Sequence, residues 1–554
     1  MDIETITKQS KFIPYLICAY NGIDYITSYA NESLNQKTLF NSFINQLLNF
    51  FNKDSKVIIV YAHNLSGFDG IFLLKHLLKY GKVKPLLFNG KLMSIKINLN
   101  IDGYKNKTII FKDSYLLLPQ SLRNLCVAFN INIGKGYFPF LLTNIFYKGI
   151  LPNFENWTGI SLSEFELLVK EYTNITWNFK EEAIKYCKLD CKCLYEILVQ
   201  FNELIFNHFK VNIDIPLTLP ALAMKIYKSQ FMPKDKIYQL LGNIDKDIRE
   251  SYTGGSVDVY IPHNRTENFF TNIFRKLYCY DVNSLYPFIM AKTPMPLNLI
   301  KFHKNMDNIK LENFFGYIKV EVFCPSNMLK PVLPFKFEGK TIYPTGNWIG
   351  IYFSEELKAV KLLGYQFKLI KGYEFSKSNI FDKYVDHFFN IKLNSNGAQK
   401  AIAKLHLNGL YGYFGRKQDL IETVNVNNNS LHNYLSTRIV KDLLKINNDY
   451  STLLLSDNIN HKVLRNLNMI CESNIKSTNK IVMSNVAIAA AVTAYARIHM
   501  IPFKIDPNTL YTDTDSIFTL VKLDPSLIGD EIGQMKDELK GGIIEEKDVV
   551  CNQG

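Results

Sequence analysis

The chain has 554 residues, of which 47% are hydrophobic and 21% charged. That length is too great for one core and that composition too apolar for a disordered chain, so about two to four globular domains are expected. A formal net charge of +13 and a pI near 9.0 call for a polyanionic partner, either nucleic acid or an anionic membrane. The nine cysteines have no paired CxxC spacing. Cys187, Cys191 and Cys193 fall in a helical pattern that does not wrap three thiolates round one metal, so they read as reduced thiols. Residues 1–5 are neither a secretory signal nor an Arg-rich transit peptide. Residues 481–496 are the stretch nearest to a membrane span, but Ser484 and Asn485 interrupt it and Arg497 ends it. It reads as a tightly packed buried helix. Recurrent Asn, Ile, Lys, Phe and Tyr indicate an A+T-rich gene.

In chain order, Asp2-Ile-Glu4 places two carboxylates on one face of a strand, because strand side chains alternate. The β-like run VIIVY at 57–61 leads into Ala-His63-Asn64-Leu-Ser-Gly-Phe68-Asp69, and a helical pattern follows at 71–78. Asp69 therefore stands where a strand hands over to a helix. Ser121-Leu122 follow a strand-like segment ending near Leu118. Further on, Tyr186 and Asp190 share one face of a helical segment at i and i+4. Acids on three separated elements, with a tyrosine, suit two divalent ions and a water aimed at a phosphodiester. Each fragment alone is weak; their order is the signal.

Tyr252-Thr-Gly254-Gly255 joins an aromatic to two glycines that let backbone approach a phosphate, or simply make a turn. Asp281 ends the strand-like run Lys276-Leu-Tyr-Cys-Tyr280, and Asn-Ser-Leu-Tyr286-Pro287 then opens a turn or helix. Residues 390–412 read as two helical segments broken at the turn formers Asn394-Ser-Asn-Gly397. In the second, Lys400, Lys404, Asn408 and Tyr411 form one polar stripe, either a solvated face or a nucleotide-binding one. Residues 423–460 read as an Asn-rich loop. Last comes Tyr511-Thr-Asp513-Thr-Asp515-Ser-Ile517, two strands joined by a tight turn that carries two carboxylates.

Asp2-x-Glu4, the HNxxxFD segment at 63–69 and Tyr186-xxx-Asp190 resemble, in that order, the three motifs of the 3′–5′ exonuclease domain of DNA polymerases. That resemblance implies a ribonuclease H-like α/β fold, with Asp2, Glu4, Asp69 and Asp190 as metal ligands and Tyr186 orienting the attacking water. It places His63, Asn64 and Phe68 along the path of a frayed 3′ strand, and Ser121-Leu122 resemble a further single-strand-binding motif. Only Met1 precedes Asp2, so half of the usual first strand is missing, which implies a start further upstream or a weakened domain.

The remaining motifs resemble family B DNA polymerases. Tyr252-x-Gly254-Gly255 is similar to the YxGG motif that contacts template. DxxSLYP at 281–287 is similar to motif A, which implies metal binding by Asp281 and packing of Tyr286 against the deoxyribose to exclude a 2′-hydroxyl. Lys404-xxx-Asn408-Gly-x-Tyr411-Gly is similar to motif B, with Gly409 where Ser is usual. It implies that Lys404 and Lys392 bind the triphosphate and that Tyr411 and Asn408 line the nucleotide pocket. The Asp513/Asp515 turn is similar to motif C, whose Asp515 would hold two Mg²⁺ (or Mn²⁺) jointly with Asp281.

Stretches of about a hundred residues separate motif A from B and B from C, as in protein-primed polymerases. The motif spellings look like those of linear plasmids of fungal mitochondria. The resemblance implies a multi-domain α/β and α+β chain: exonuclease (1–205), first part of a right-hand palm (206–300), first terminal-protein-type insertion (301–375), fingers (376–415), second insertion (416–475) and second part of the palm (476–554). Only 39 residues follow Asp515 and no KxY motif is found there, so the thumb is expected to be largely missing. The expected partners are primer-template DNA, deoxynucleoside triphosphates and a terminal protein primer, with a monomeric enzyme and no membrane. The expected place is the mitochondrion without import, the alternative the cytoplasm. The alternative functions are a catalytically impaired DNA- or terminal-protein-binding remnant, and a nuclease alone.

Overall fold

Apolar runs in the first 113 residues form strands because they are β-branched, short and bounded by turn formers. The computed structural model describes residues 1–51, 54–88, 91–131, 136–233, 237–240, 242–262, 275–417, 421–456 and 484–544. They divide into one unit of residues 1–222, 396–401 and 419–479, and another of residues 223–395, 402–418 and 480–554.

In the first unit, Asp2–Lys8, Lys11–Tyr20 and Tyr25–Tyr29 make an antiparallel meander. Val57–Ala62 pairs in parallel with Thr108–Asp113, and Lys91–Leu99 and Gly81–Phe88 extend that sheet antiparallel. Helices Gln36–Leu48 and Asp69–Leu77 close over a core that includes Ile3, Phe43, Leu73, Ile95 and Phe111. The long helix Phe179–Phe209 lies on strand Lys11–Tyr20 through Phe179, Ala183, Cys187 and Cys191.

Two sequence expectations are corrected here. The strand before Ser121 stops at Asp113, not near Leu118, because the N–H groups of Leu117 and Leu118 both turn back to the Ser114 carbonyl. Residues 423–460 are no loop over their described part. Ile421–Asn427, Tyr450–Ser456 and Ile439–Lys445 form an antiparallel sheet in that order. Val424, Val426, Leu453 and Leu455 alternate onto one packed face, while Asn428 and Asn447 serve the connections. Asn425 donates to the Val83 carbonyl and Leu454 joins the core of the unit. The remainder of the expected second insertion, residues 457–475, lies outside the described residues, as does the C-terminal stretch 545–554.

In the second unit an antiparallel sheet has the order Val257–Val259, Thr509–Asp513, Ser516–Thr519, Tyr278–Val282, Met535–Asp537. A separate sheet runs Met295–His303, Gln366–Ser378, Gly316–Cys324, Gly346–Phe353. Helices Asp382–Asn394 and Gly397–Phe414 break at Ser395 and Asn396, at the predicted turn formers. Helix Val486–Ile505 is, among the described residues, the one long and apolar enough to cross a membrane. Its side chains from Val486 to Ala494 are buried within the unit, as expected of a core helix.

Candidate active sites

The hairpin of the second unit leaves no room for extra residues. Asp513 faces Ser516 across the two strands, so the turn is Thr514-Asp515 alone. Thr514 is left-handed (φ +57°), and the Asp515 N–H donates to the Asp513 carbonyl at 2.6 Å. On the adjoining strand Asp281 pairs with Ser516, and the Val282 N–H donates to the Asp515 carbonyl at 2.8 Å. This register sets Asp281 and Asp515 side by side from more than two hundred residues apart. Burial, then the Asp515 and Glu538 charges, push the Asp281 carboxyl up to about 6, while Lys536 and Lys404 pull it down. Burial also raises Asp515, and Asp513 adds to it. Carboxylates raised by each other's proximity and by partial burial suit a hard divalent cation, which removes the repulsion and takes oxygen ligands.

Of the residues expected to bind nucleotide, Lys404 acts electrostatically on Asp281, and Tyr286 and Tyr411 feel the Asp515 charge. Tyr286, on helix Leu285–Lys292, lies 4.6 Å from Tyr411 between ring centroids, at 37°. Burial raises both phenols. Lys392 donates to the Ser284 hydroxyl at 2.9 Å, while Lys404 and Asn408 stand exposed on their helix. Tyr252 packs on Gly415, and Gly254 faces open space. Gly255 has a steric duty that its motif does not announce: a Cβ there would lie 2.6 Å from the Thr514 side chain.

Sequence reasoning missed the group that fixes this loop. Arg497, from the core helix, grips Glu356 in a fork (Nε–Oε1 2.6 Å, Nη2–Oε2 2.9 Å) and donates to the Thr253 and Gly254 carbonyls at 2.7 and 2.9 Å. Both charged side chains are buried. A lone Arg closing the apolar stretch 481–496 was the available signal, but its partner lies 141 residues away.

The second centre is in the first unit. Ligand atoms of Asp2, Glu4 and Cys187 lie within 4.8 Å of one another, and Cys187 Sγ is 3.7 Å from Asp2 Oδ2. Cys187, a free thiol as the sequence suggested, thus borders the carboxylates. Asp69 opens helix Asp69–Leu77, and its Oδ1 accepts the Ile3 N–H at 3.1 Å. Burial and then the Asp2 charge drive its carboxyl well above the usual range. Tyr186 and Asp190 are both buried on the long helix. The Tyr186 phenol is raised by burial, then by Asp190, Glu4 and Asp2, so it stays protonated.

A cleft of about 450 Å³ is lined by Met1, Asp2, His63, Asn64, Tyr115, Ser121, Leu122, Asp190 and Leu194. It brings together most of the predicted single-strand contacts and adds Tyr115. Phe68 is not among the lining residues; it packs edge-on against Phe12 and Phe72. His63 Nε2 donates to the Gln120 carbonyl at 2.8 Å, and Ser121 caps helix Leu122–Ala128. The buried Asp113 carboxylate, also missed, accepts the N–H groups of Asn64, Ser66 and Tyr115 and so shapes the HNxxxFD loop.

A family model described as DNA polymerase type B, organellar and viral, matches residues 50–510. The chain belongs to the type B DNA polymerases of organelles and viruses. A Neurospora intermedia protein named Probable DNA polymerase is 32% identical, over 96% of this chain and 54% of its own length. One of the same name from Podospora anserina is 32% identical, over 90% and 45%. The chain thus spans about half the length of these curated relatives. Phi29 DNA polymerase in complex with primer-template DNA and incoming nucleotide superimposes with a TM-score of 0.65 at 18% identity, covering 98% of this chain and 85% of that one. At that identity the likeness establishes the fold, that of a multi-domain type B polymerase.

Proposed function

We propose that the chain is a DNA-directed DNA polymerase that replicates a linear plasmid-like element, primed by a terminal protein and proofread by its own 3′–5′ exonuclease. The observation that carries this reading is the register that sets Asp281 beside the Asp513/Asp515 turn, with Lys404 acting on the same carboxyl. The proposed substrates are primer-template DNA and deoxynucleoside triphosphates, handled by a monomer in the mitochondrion. The fungal relatives and the A+T-rich composition support that place.

Asp281 and Asp515 would hold two Mg²⁺ ions, with Asp513 beside them. Mn²⁺ suits the same oxygen donors. When bound, such ions lower the pKa of an attacking 3′-hydroxyl and neutralise pyrophosphate oxygens. The chain's residues supply the rest. Lys404 and Lys392 present ammonium groups to the triphosphate where negative charge grows; Lys392 would exchange its bond to Ser284 for a phosphate oxygen. Tyr286, braced by Tyr411, closes the space beside the sugar, and Tyr411 and Asn408 line the pocket. Tyr252, Gly254 and Gly255 guide the template backbone.

In the exonuclease centre Asp2, Glu4, Asp69 and Asp190 would take the cations, and the protonated Tyr186 orients a water by hydrogen bonding. Ser121, Leu122, His63 and Asn64 would wall the path of the unpaired 3′ end. Phe68 would act from behind that wall.

Primer extension and 3′-end degradation by the purified chain test the proposal together. Incorporation with degradation supports it; degradation alone supports a nuclease, and salt-sensitive DNA binding with neither supports a binding remnant. Two further results are expected. Replacing Tyr286 by Ala opens the space beside the sugar, so discrimination against ribonucleotides, measured by competing kcat/KM values, falls about a hundredfold. Mn²⁺ competes with a proton for Asp281. Its affinity in equilibrium titrations should therefore hold above pH 7 and fall as pH drops through about 6.

A further inference from the structure

The mechanism above leaves the buried cation of Lys504 unused. Lys504, in the last turn of helix Val486–Ile505, is only 3% exposed. Its ammonium donates to the Ser256 hydroxyl at 2.9 Å, stands 4.0 Å from Asp258, and lies over the Tyr343 ring at 3.4 Å from the centroid. The Tyr260 ring centroid is 5.9 Å away. Burial pushes Lys504 down to about 7; Asp258 opposes the shift, while Arg497 and Lys330 add to it. A buried charge with so few full partners is expensive to keep, so the arrangement it specifies is of interest.

That arrangement leads to the catalytic turn. Ser256 accepts the Thr514 N–H on its backbone carbonyl at 3.0 Å. Thr514 is the left-handed residue between Asp513 and Asp515, a conformation disfavoured for any side chain with a Cβ. Gly255 presses against the same residue, and strand Val257–Val259 pairs Val257 with Asp513. A chain of contacts therefore runs from Lys504 through Ser256 to the backbone that aims both aspartates.

We propose that Lys504 is a positioning residue for nucleotidyl transfer, holding the Asp513-Thr514-Asp515 turn in its left-handed form through Ser256. This rests on the polymerase reading, and its test separates the two. Mn²⁺ binding to the DNA-free chain is followed by electron paramagnetic resonance in wild type, Lys504→Met, Ser256→Ala and the double variant. Asp515→Asn subtracts the sites outside this centre. Primer extension is measured on the same proteins, with folding checked by circular dichroism.

Lys504→Met and Ser256→Ala should each weaken Mn²⁺ at this centre about tenfold and lower kcat similarly, leaving the nucleotide KM within about twofold. The double variant should lose no more than either single one. If Lys504→Met does not fold, Ser256→Ala alone carries the same expectation. Wild-type Mn²⁺ affinity in the folded single variants, or losses that multiply in the double one, would overturn the proposal. If Mn²⁺ binding depends on Lys504 and Ser256 while wild type adds no nucleotide, Lys504 still holds the metal-binding turn, but the polymerase reading and the role in nucleotidyl transfer fall.

Discussion

Asp515→Asn should lower primer extension on the order of a thousandfold, equivalent to about 4 kcal/mol of transition-state stabilisation. Asp281→Asn should do the same, because the Asp515 turn is hydrogen-bonded to the Asp281 strand through Val282 and the Asp515 charge acts on the Asp281 carboxyl. Degradation of 3′ ends should persist in both variants, since its carboxylates belong to the other unit. Stability should move in the opposite direction from activity. The folded Asp281 carboxyl titrates near 6, above its ordinary value of 3.8. The native state thus binds that proton more tightly than the unfolded chain, and its ionised form weighs against folding once pH exceeds about 6. Without metal, Asp281→Asn should melt higher than wild type at pH 7–8, and the gap should narrow as pH falls through 6 toward 4. Equal melting at all pH values would show that the Asp281 carboxyl is neither buried nor crowded by Asp515 and Glu538.

Arg497→Met should destabilise the second unit by about 3–5 kcal/mol, the usual result of removing one partner from a buried ion pair. Glu356 would keep a buried charge with neither Nε nor Nη2 to meet it, and the Thr253 and Gly254 carbonyls would lose their donor. Urea unfolding followed by tryptophan fluorescence reads the loss as a lower midpoint. Adding Glu356→Gln should restore part of it, because the double variant leaves no stranded charge. Independent, additive losses would contradict a shared pair.

What could be read in the sequence was whatever chemistry is local. The Asp513/Asp515 hairpin, the i,i+4 pair Tyr186 and Asp190, and the helix break at Ser395-Asn396 follow from periodicity and turn residues a few positions apart. What could not be read depends on distant partners. Asp113 looks like an ordinary strand end until the HNxxxFD loop folds over it. Arg497 shows its purpose only beside Glu356, and Lys504 only beside Ser256. The Asn-rich stretch after 420 misled for a local reason. Its asparagines sit in turns and, at Asn425, on the strand face that meets Val83, masking the alternation of Val424, Val426, Leu453 and Leu455 that builds the sheet. Cys187 escaped because a thiol in a helical pattern carries no mark of the carboxylates across from it.

The central claim is that Asp281 and Asp515 together hold the ions for nucleotide addition. Anomalous diffraction from crystals grown with primer-template DNA, a non-extendable primer end, an incoming nucleotide and Mn²⁺ tests it directly. Two peaks are expected between these carboxylates, about 3.5–4 Å apart, with Lys404 turned to the triphosphate. Absence of manganese there while the nucleotide is bound, or carboxylates too far apart to share an ion, would contradict it.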